Sequence, residues 1–151
     1  MGSIQLEKIG QRHIELAYLA GFFDGEGCVL YDRIYADNTN PHILEMFFVL
    51  WPGGRVYLKT PPGENNRSQY RWVAHGPTAR EALRDMMPYL IEKKEQAEIH
   101  LDVLNHPASS DSRREQLLKL KELKRVPYDG YTQPSGTSEY RLDDKGVTEA
   151  T

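Results

Sequence analysis

Two acids stand where electrostatics disfavours them. In QRHIELAYLAGFFD, residues 11–24, large apolar side chains recur at Leu16, Leu19 and Phe23, the spacing of one face of a helix. Gly25 and Gly27 mark its end, so Asp24 and Glu26 fall where the helix finishes. A helix C-terminus carries about half a negative charge, and a carboxylate there costs about 0.3–1 kcal/mol. A hard divalent cation reverses that cost, because carboxylates and backbone carbonyls are the ligands that Mg²⁺ and Ca²⁺ prefer. Two solvated acids at a frayed end are the plainer alternative.

A second signal is a local excess of positive charge. From Trp51 to Arg80 the bases Arg55, Lys59, Arg67, Arg71 and Arg80 are opposed by Glu64 alone, a net +4. The whole chain carries −3, but the segment from Pro127 to Thr151 carries all of that, leaving the body neutral. A basic middle on a neutral body suits a local phosphate-binding face. A solvated strand surface would show the same charges.

The elements that must position these groups are legible in outline. The helix over 11–24 carries a second stripe, Ala17, Ala20, Gly21 and Asp24, almost free of side-chain bulk. Such a stripe lets another backbone approach closely; a like helix and the chain's own sheet are both candidates. CVLYDRIYAD is short strand material. NTNPHILEMFFVLW reads as a helix opened by Pro41 and capped by Asn38 or Asn40. After a PGG turn, RVYLKT alternates as a strand, PPGENNRS is a polar tip, and QYRWVAHG returns as a second strand. PTAREALRDMM, interrupted by Pro88, and residues 93 to about 104 are helical, and a further amphipathic helix covers about 111–125. From Pro127 to Thr151 the polar, Gly- and Ser-containing composition predicts disorder. One domain over 1–126 follows.

At 151 residues, with 39% apolar and 27% charged side chains, the composition is that of a globular domain with its own core. No apolar run approaches the roughly 20 residues of a membrane span, so no membrane partner is expected. The opening MGSIQLEKIG lacks a secretion-signal pattern, and Leu6 breaks the myristoylation pattern. A single cysteine, Cys28, excludes an internal disulfide framework. An intracellular, cytoplasmic protein is expected, of prokaryotic, phage or organellar context.

Leu19-Ala20-Gly21-Phe22-Phe23-Asp24-Gly25-Glu26-Gly27 resembles the nine-residue motif of the LAGLIDADG homing endonucleases. Asn38-Thr39-Asn40 before an apolar helix, then Gly53-Gly54, the hairpin, and Pro88-Tyr89-Leu90-Ile91 with Lys93-Lys94-Glu95-Gln96-Ala97 follow the family order. The resemblance spans about Glu15 to Leu104 and implies an α+β, αββαββα fold with a saddle-shaped antiparallel sheet along double-stranded DNA. Single-motif members are homodimers. The resemblance therefore implies a dimer interface of Ala17, Ala20, Gly21 and Asp24, with Leu16, Leu19 and Phe23 in the subunit core.

Each subunit would bring Glu26 to the seam, and Gly25 would add a backbone carbonyl to the metal site. Mg²⁺ is the implied cofactor, with Mn²⁺ as an alternative and Ca²⁺ as a non-catalytic substitute. Lys93 matches the catalytic lysine, with Lys94 as the alternative. Asn38 maps onto the residue that orients solvent, and His42 onto a position often basic. The implied DNA contacts are Arg55, Tyr57, Lys59, Arg67, Gln69 and Arg71. Over 69–75, polarity favours Gln69 and Arg71 as readers, whereas alignment with the family favours Tyr70 and Trp72.

The chain departs from the family between Gly27 and Asn38, where ten residues leave room only for a shortened first hairpin. The expected activity is site-specific, metal-dependent endonucleolytic cleavage of a pseudo-palindromic site. The other class of reading is a non-catalytic DNA- or RNA-binding protein on the same fold, a regulator or maturase-like factor.

Overall fold

The computed structural model describes residues 3–124 and the segments 140–143 and 146–149. Helix α1 runs Ser3–Glu26, starting earlier than its apolar spacing indicates and ending where the glycines require. Strands β1 (Gly27–Val29) and β2 (Arg33–Asn38) form a hairpin of three residue pairs, Gly27↔Ala36 to Val29↔Ile34. The Leu30 N–H closes its turn on the Arg33 carbonyl at 2.8 Å. The first hairpin is therefore short, as its ten residues dictate.

Helix α2 (Pro41–Leu50) begins with Pro41 in its first turn and with the Asn40 side chain accepting from the His42 N–H at 3.0 Å. Asn38, the other candidate cap, instead accepts from the Asn40 N–H at 2.8 Å and sets the turn into the helix. Strands β3 (Arg55–Thr60) and β4 (Gln69–His75) are the second hairpin, followed by α3 (Gly76–Met86), a 3-10 turn at Met87–Tyr89, α4 (Lys94–Asp102) and α5 (Asp111–Glu122). Ser110 caps α5 by accepting from the Arg113 N–H at 3.2 Å. The four strands form one antiparallel sheet in the order β1-β2-β4-β3, and the element order from α1 to α3 is αββαββα. Among the described residues no helix is long and apolar enough to cross a membrane.

Disorder was expected from Pro127 onward. Within that stretch β5 (Tyr140–Asp143) and β6 (Gly146–Glu149) pair as an antiparallel hairpin; the remainder lies outside the described residues.

Register decides which sheet face is the core. Ala36, Trp72 and Val56 lie side by side across β2, β4 and β3, as do Ile34 and Ala74 across β2 and β4. Ile34, Ala36, Trp72 and Ala74 are buried against Leu16, Leu19, Ala20 and Phe23 of α1, Leu44 and Phe47 of α2, and Ala79, Ala82, Leu83 and Met86 of α3. The Trp72 ring packs 4.8 Å from Phe47 and 5.9 Å from Trp51, centroid to centroid. Truncating an aromatic side chain so placed costs about 3–5 kcal/mol. Among the described residues the Trp72 Nε1–H finds no acceptor, a local cost of about 1–3 kcal/mol that the packing outweighs. Tyr70 and Trp72 therefore belong to the core side, and Gln69 and Arg71 to the open face.

Gly54 is required by this packing. A Cβ there would lie 2.6 Å from Trp72 Nε1 and 2.9 Å from the Val73 carbonyl, neither of which yields readily. Gly54→Ala is expected to lower unfolding stability by about 1–3 kcal/mol, read as a reduced denaturant midpoint. An unchanged midpoint would contradict the close packing of Trp72 on this turn.

His100 of α4 is the buried titratable group of the core, with Nδ1–H donating to the Leu30 carbonyl at 2.5 Å. Burial holds its imidazole neutral below the ordinary value of 6.5. The unfolded chain takes up the proton first, so the stability contributed by this group is full above that value and declines as pH falls below it. Denaturation from about pH 7.5 to about pH 5 should show a steeper loss for the wild type than for His100→Gln. Parallel profiles would assign the acid sensitivity elsewhere.

Candidate active site and nucleic-acid face

The misplaced acids at the end of α1 have different fates. The Asp24 carboxylate accepts the backbone N–H of Ile91 at 2.7 Å and of Lys93 at 3.0 Å. The Lys93 ammonium in turn donates to the Asp24 backbone carbonyl. No basic residue occupies the last turn of α1 itself. The loop after the 3-10 turn thus supplies, from 69 positions away, the cation a helix C-terminus attracts. Lys94 is exposed and makes no such contact.

Glu26 is treated differently. It is exposed, and its carboxylate has no hydrogen bond or ion pair with any described residue. The clamp therefore consumes one acid and leaves the other free, beside the exposed Gly25 and within two residues of the carbonyl that holds Lys93. Among the described residues no group of three or more His, Cys, Asp or Glu forms a metal cluster. One free carboxylate with the terminal helix carbonyls is a hard-oxygen set that fits Mg²⁺, a cation commonly held by one or two carboxylates together with substrate phosphate.

Among the described residues no hydrogen bond or ion pair joins the two other expected catalytic residues to this end. Asn38 uses its carbonyl oxygen in the turn before α2. His42 pairs with Glu45 at 3.2 Å and lines a groove with Glu15 and Leu19. Leu19 lies seven residues before Glu26, about 10 Å along the helix.

The α1 surface corrects two interface expectations. Ala20 is fully buried in the chain's own core, because it shares the face of Leu16, Leu19 and Phe23. Asp24 is directed to the chain's own loop rather than outward. Ala17 and Gly21 are exposed, and with Ile14, Tyr18 and Gly25 they form an outward stripe at helical spacing. A Cβ added at Gly21 or Gly25 meets nothing within 4 Å, so nothing in this chain requires glycine there.

On the open face of the sheet, Asp37, Arg71 and Tyr57 are cross-strand neighbours. Asp37 accepts from Arg71 Nε at 2.6 Å and Nη2 at 2.8 Å, and from Lys59 Nζ at 2.7 Å. The Arg71 guanidinium lies 3.7 Å over the centre of the Tyr35 ring. Burial pushes the Asp37 carboxyl up, but the hydrogen bonds from Arg71 and Lys59 outweigh it and hold the group below its ordinary range. The Asp37 hydrogen bond raises the Arg71 pKa. Arg55 lies 5.2 Å over the Tyr57 ring, and Arg67 and Gln69 are exposed at and beside the tip.

Sequence reasoning missed Asp37 and Tyr35. Their alternation with Ala36 placed them on one face, but their partners depend on a β2–β4 register that no local signal carries. Lys59 reaches Asp37 because it sits at the register shift between Leu58 and Thr60.

Removing the α1 clamp should loosen this end. Asp24→Ala leaves two backbone N–H groups without their acceptor and is expected to cost about 1–3 kcal/mol. Glu26→Gln, at an exposed and unpartnered carboxylate, should stay within about 0.5 kcal/mol of the wild type. Calorimetric or denaturant unfolding of both variants checks this, and equal losses would contradict the division of roles.

No protein-family model and no curated protein matches the sequence. Among solved structures the chain is similar to the homing endonuclease I-CvuI in complex with the I-CreI target, crystallised in 2 mM Mg with the DNA not cleaved. The TM-score is 0.60 at 21% identity, over 82% of this chain and 88% of that one. I-CvuI with its own target in 2 mM Ca gives 0.61 at 20% identity, over 82% and 88%. The archaeal intron-encoded homing endonuclease I-Vdi141I, complexed with DNA, gives 0.59 at 18% identity, over 82% and 90%. The fold of this chain is the homing-endonuclease fold, a mixed helical and antiparallel four-stranded architecture.

Proposed function

We propose that this chain is a LAGLIDADG-type homing endonuclease, a divalent-metal-dependent, site-specific double-stranded DNA endonuclease that acts as a homodimer on a pseudo-palindromic site. The observation that carries the reading is the division of labour at the end of α1. Asp24 and Lys93 are locked to each other's backbone, and Glu26 is left free and exposed beside them. An acid left without a partner beside a rigid clamp is an arrangement that a metal-assisted hydrolase would use.

Phosphodiester hydrolysis requires an activated water, stabilisation of the charge developing on phosphorus oxygens, and support for the leaving oxygen. Glu26 and the Gly25 carbonyl would hold Mg²⁺, which lowers the pKa of bound water and neutralises phosphate charge. Lys93, tethered to the Asp24 carbonyl, keeps a positive charge beside the reacting group without a large entropic loss on substrate binding. Asn38 retains an amide NH₂ for ordering solvent, and His42 sits further back on α2. Arg55, Tyr57, Lys59, Arg67, Gln69 and Arg71 form the DNA-directed set on the sheet and its tip.

The homodimer is supported by the outward stripe on α1. Gly21 and Gly25 have open space where a side chain would be, which is the condition for a second helix backbone to approach. A twofold pair of such helices would bring one Glu26 from each copy to the same place, one for each DNA strand. The short first hairpin favours the second reading, a non-catalytic DNA- or RNA-binding protein on this fold, because it removes reading surface from the sheet.

Incubation with a randomised duplex library in Mg²⁺ and, separately, in Ca²⁺ tests both readings. Cleavage in Mg²⁺ and retention without cleavage in Ca²⁺ is the expected pair. Glu26→Gln should reduce cleavage by more than about 100-fold while leaving duplex retention through the sheet. Retention without cutting in either ion would favour the binding protein. Gly21→Leu, whose Cβ would meet nothing within 4 Å in its own chain, should keep the monomer fold and shift sedimentation to the monomer, with loss of double-strand cutting. A Gly21→Leu chain that stays dimeric and active would refute the α1 seam.

A further inference from the structure

The Arg71 guanidinium is more constrained than a surface arginine and less satisfied than a structural one. A guanidinium has five N–H donors in a fixed plane. Asp37 takes two of them along the side edge, from Nε at 2.6 Å and Nη2 at 2.8 Å. The Tyr35 ring covers one flat face at 3.7 Å. Among the described residues nothing accepts from the end edge, where Nη1 and Nη2 each still carry a hydrogen. The residue lies on the open face of the sheet, with 19% of its side chain exposed.

We propose that Arg71 reads a guanine in the major groove through this end edge, with Asp37 and Tyr35 as the positioning residues that fix its plane. The proposal rests on the DNA-directed reading of the sheet given above. Two parallel N–H donors match guanine, which presents the adjacent acceptors O6 and N7. Adenine offers N7 beside an N6 donor, which would oppose one of the arginine hydrogens. Cytosine presents a donor, and thymine a single O4 acceptor beside a methyl group. A free arginine could swing to a backbone phosphate instead. Here the side edge is already occupied and the ring stacked, so the head does not follow a phosphate without breaking both contacts. Lys59 shares the same Asp37 carboxylate at 2.7 Å, which secures the acceptor from its other side.

The test uses the full chain with randomised duplexes in Ca²⁺, recording the selected sequences for the wild type, Arg71→Ala, Arg71→Lys and Asp37→Asn. The wild type is expected to select guanine at one fixed position of each half-site. Arg71→Ala and Arg71→Lys should lose that preference and keep the others, with about a tenfold or greater drop on the guanine site. Asp37→Asn should weaken the same preference although Arg71 is present, an effect confined to one base position that general destabilisation does not produce. Replacing that guanine by 7-deazaguanine, which removes N7 and keeps base pairing, should weaken the wild type and leave Arg71→Ala unaffected.

Identical base profiles for the wild type and Arg71→Ala would overturn the proposal. So would a uniform fall in affinity across all sequences, the mark of a phosphate contact. A wild-type chain that retains no duplex at all would instead refute the nuclease reading on which this proposal stands.

Discussion

Everything at the candidate catalytic end depends on the Asp24 carboxylate receiving two backbone N–H groups from the loop at 91–93. An acid at a helix C-terminus is unfavourable by itself. It becomes favourable when it satisfies donors that would otherwise face a negative helix end unpaired. Once Asp24 is committed to that loop, Lys93 is delivered to the same place, since its N–H and its ammonium both bond to Asp24. One interaction thus ends a helix, docks a loop and places a cation. The second acid, two residues on, has no hydrogen-bond or ion-pair partner among the described residues.

The open face of the sheet follows from a packing constraint on the other side. Trp72 is fully buried against Phe47 and Trp51, and a strand alternates, so Arg71 and Val73 must face away from the helices. The neighbouring strands inherit the same division through the register: Asp37 and Tyr57 join Arg71, while Ala36 and Val56 join Trp72. The ion-pair cluster on the open face is therefore a consequence of the aromatic core beneath it. Charges in the cluster are only partly exposed, which makes each worth more than a pair in bulk water.

Some of this was readable from residues alone and some was not. Leu16, Leu19 and Phe23 carry the phase of α1, and Asn40 with Pro41 the start of α2, because both are local signals. The resemblance singled out Lys93 as the catalytic lysine, and the structure places its ammonium on the Asp24 backbone carbonyl. Ala20 misled: its small size suggested the outer stripe, whereas its spacing, four after Leu16 and three before Phe23, put it inside. Size describes what a residue allows, and phase describes where it is; phase prevailed. The strand at 69–75 stayed ambiguous because Tyr and Trp are at home on either face, and only cross-strand packing distinguishes them. Asp37 was silent for a related reason. Its partners lie 22 and 34 positions away, and the register between them depends on the length of the tip and the irregularity at Lys59.

The shortened first hairpin bears on how a reading surface of this kind would work. Three residue pairs extend the sheet little beyond β2, so contacts must concentrate on β2, β4 and β3. On those strands the single Asp37 carboxylate engages both Arg71 and Lys59 and offsets part of their charge. Charge engaged in this way contributes less to counterion release, the sequence-independent part of nucleic-acid affinity. What remains is the oriented part: donors with fixed planes, held by a carboxylate and an aromatic ring. A small face whose charges are partly paired favours discrimination over strength, and pairing two such faces about a twofold axis multiplies discrimination by repeating the same contacts. In the proposed dimer the shortening of one hairpin is offset in that way, by repetition of a few rigid contacts rather than by extent.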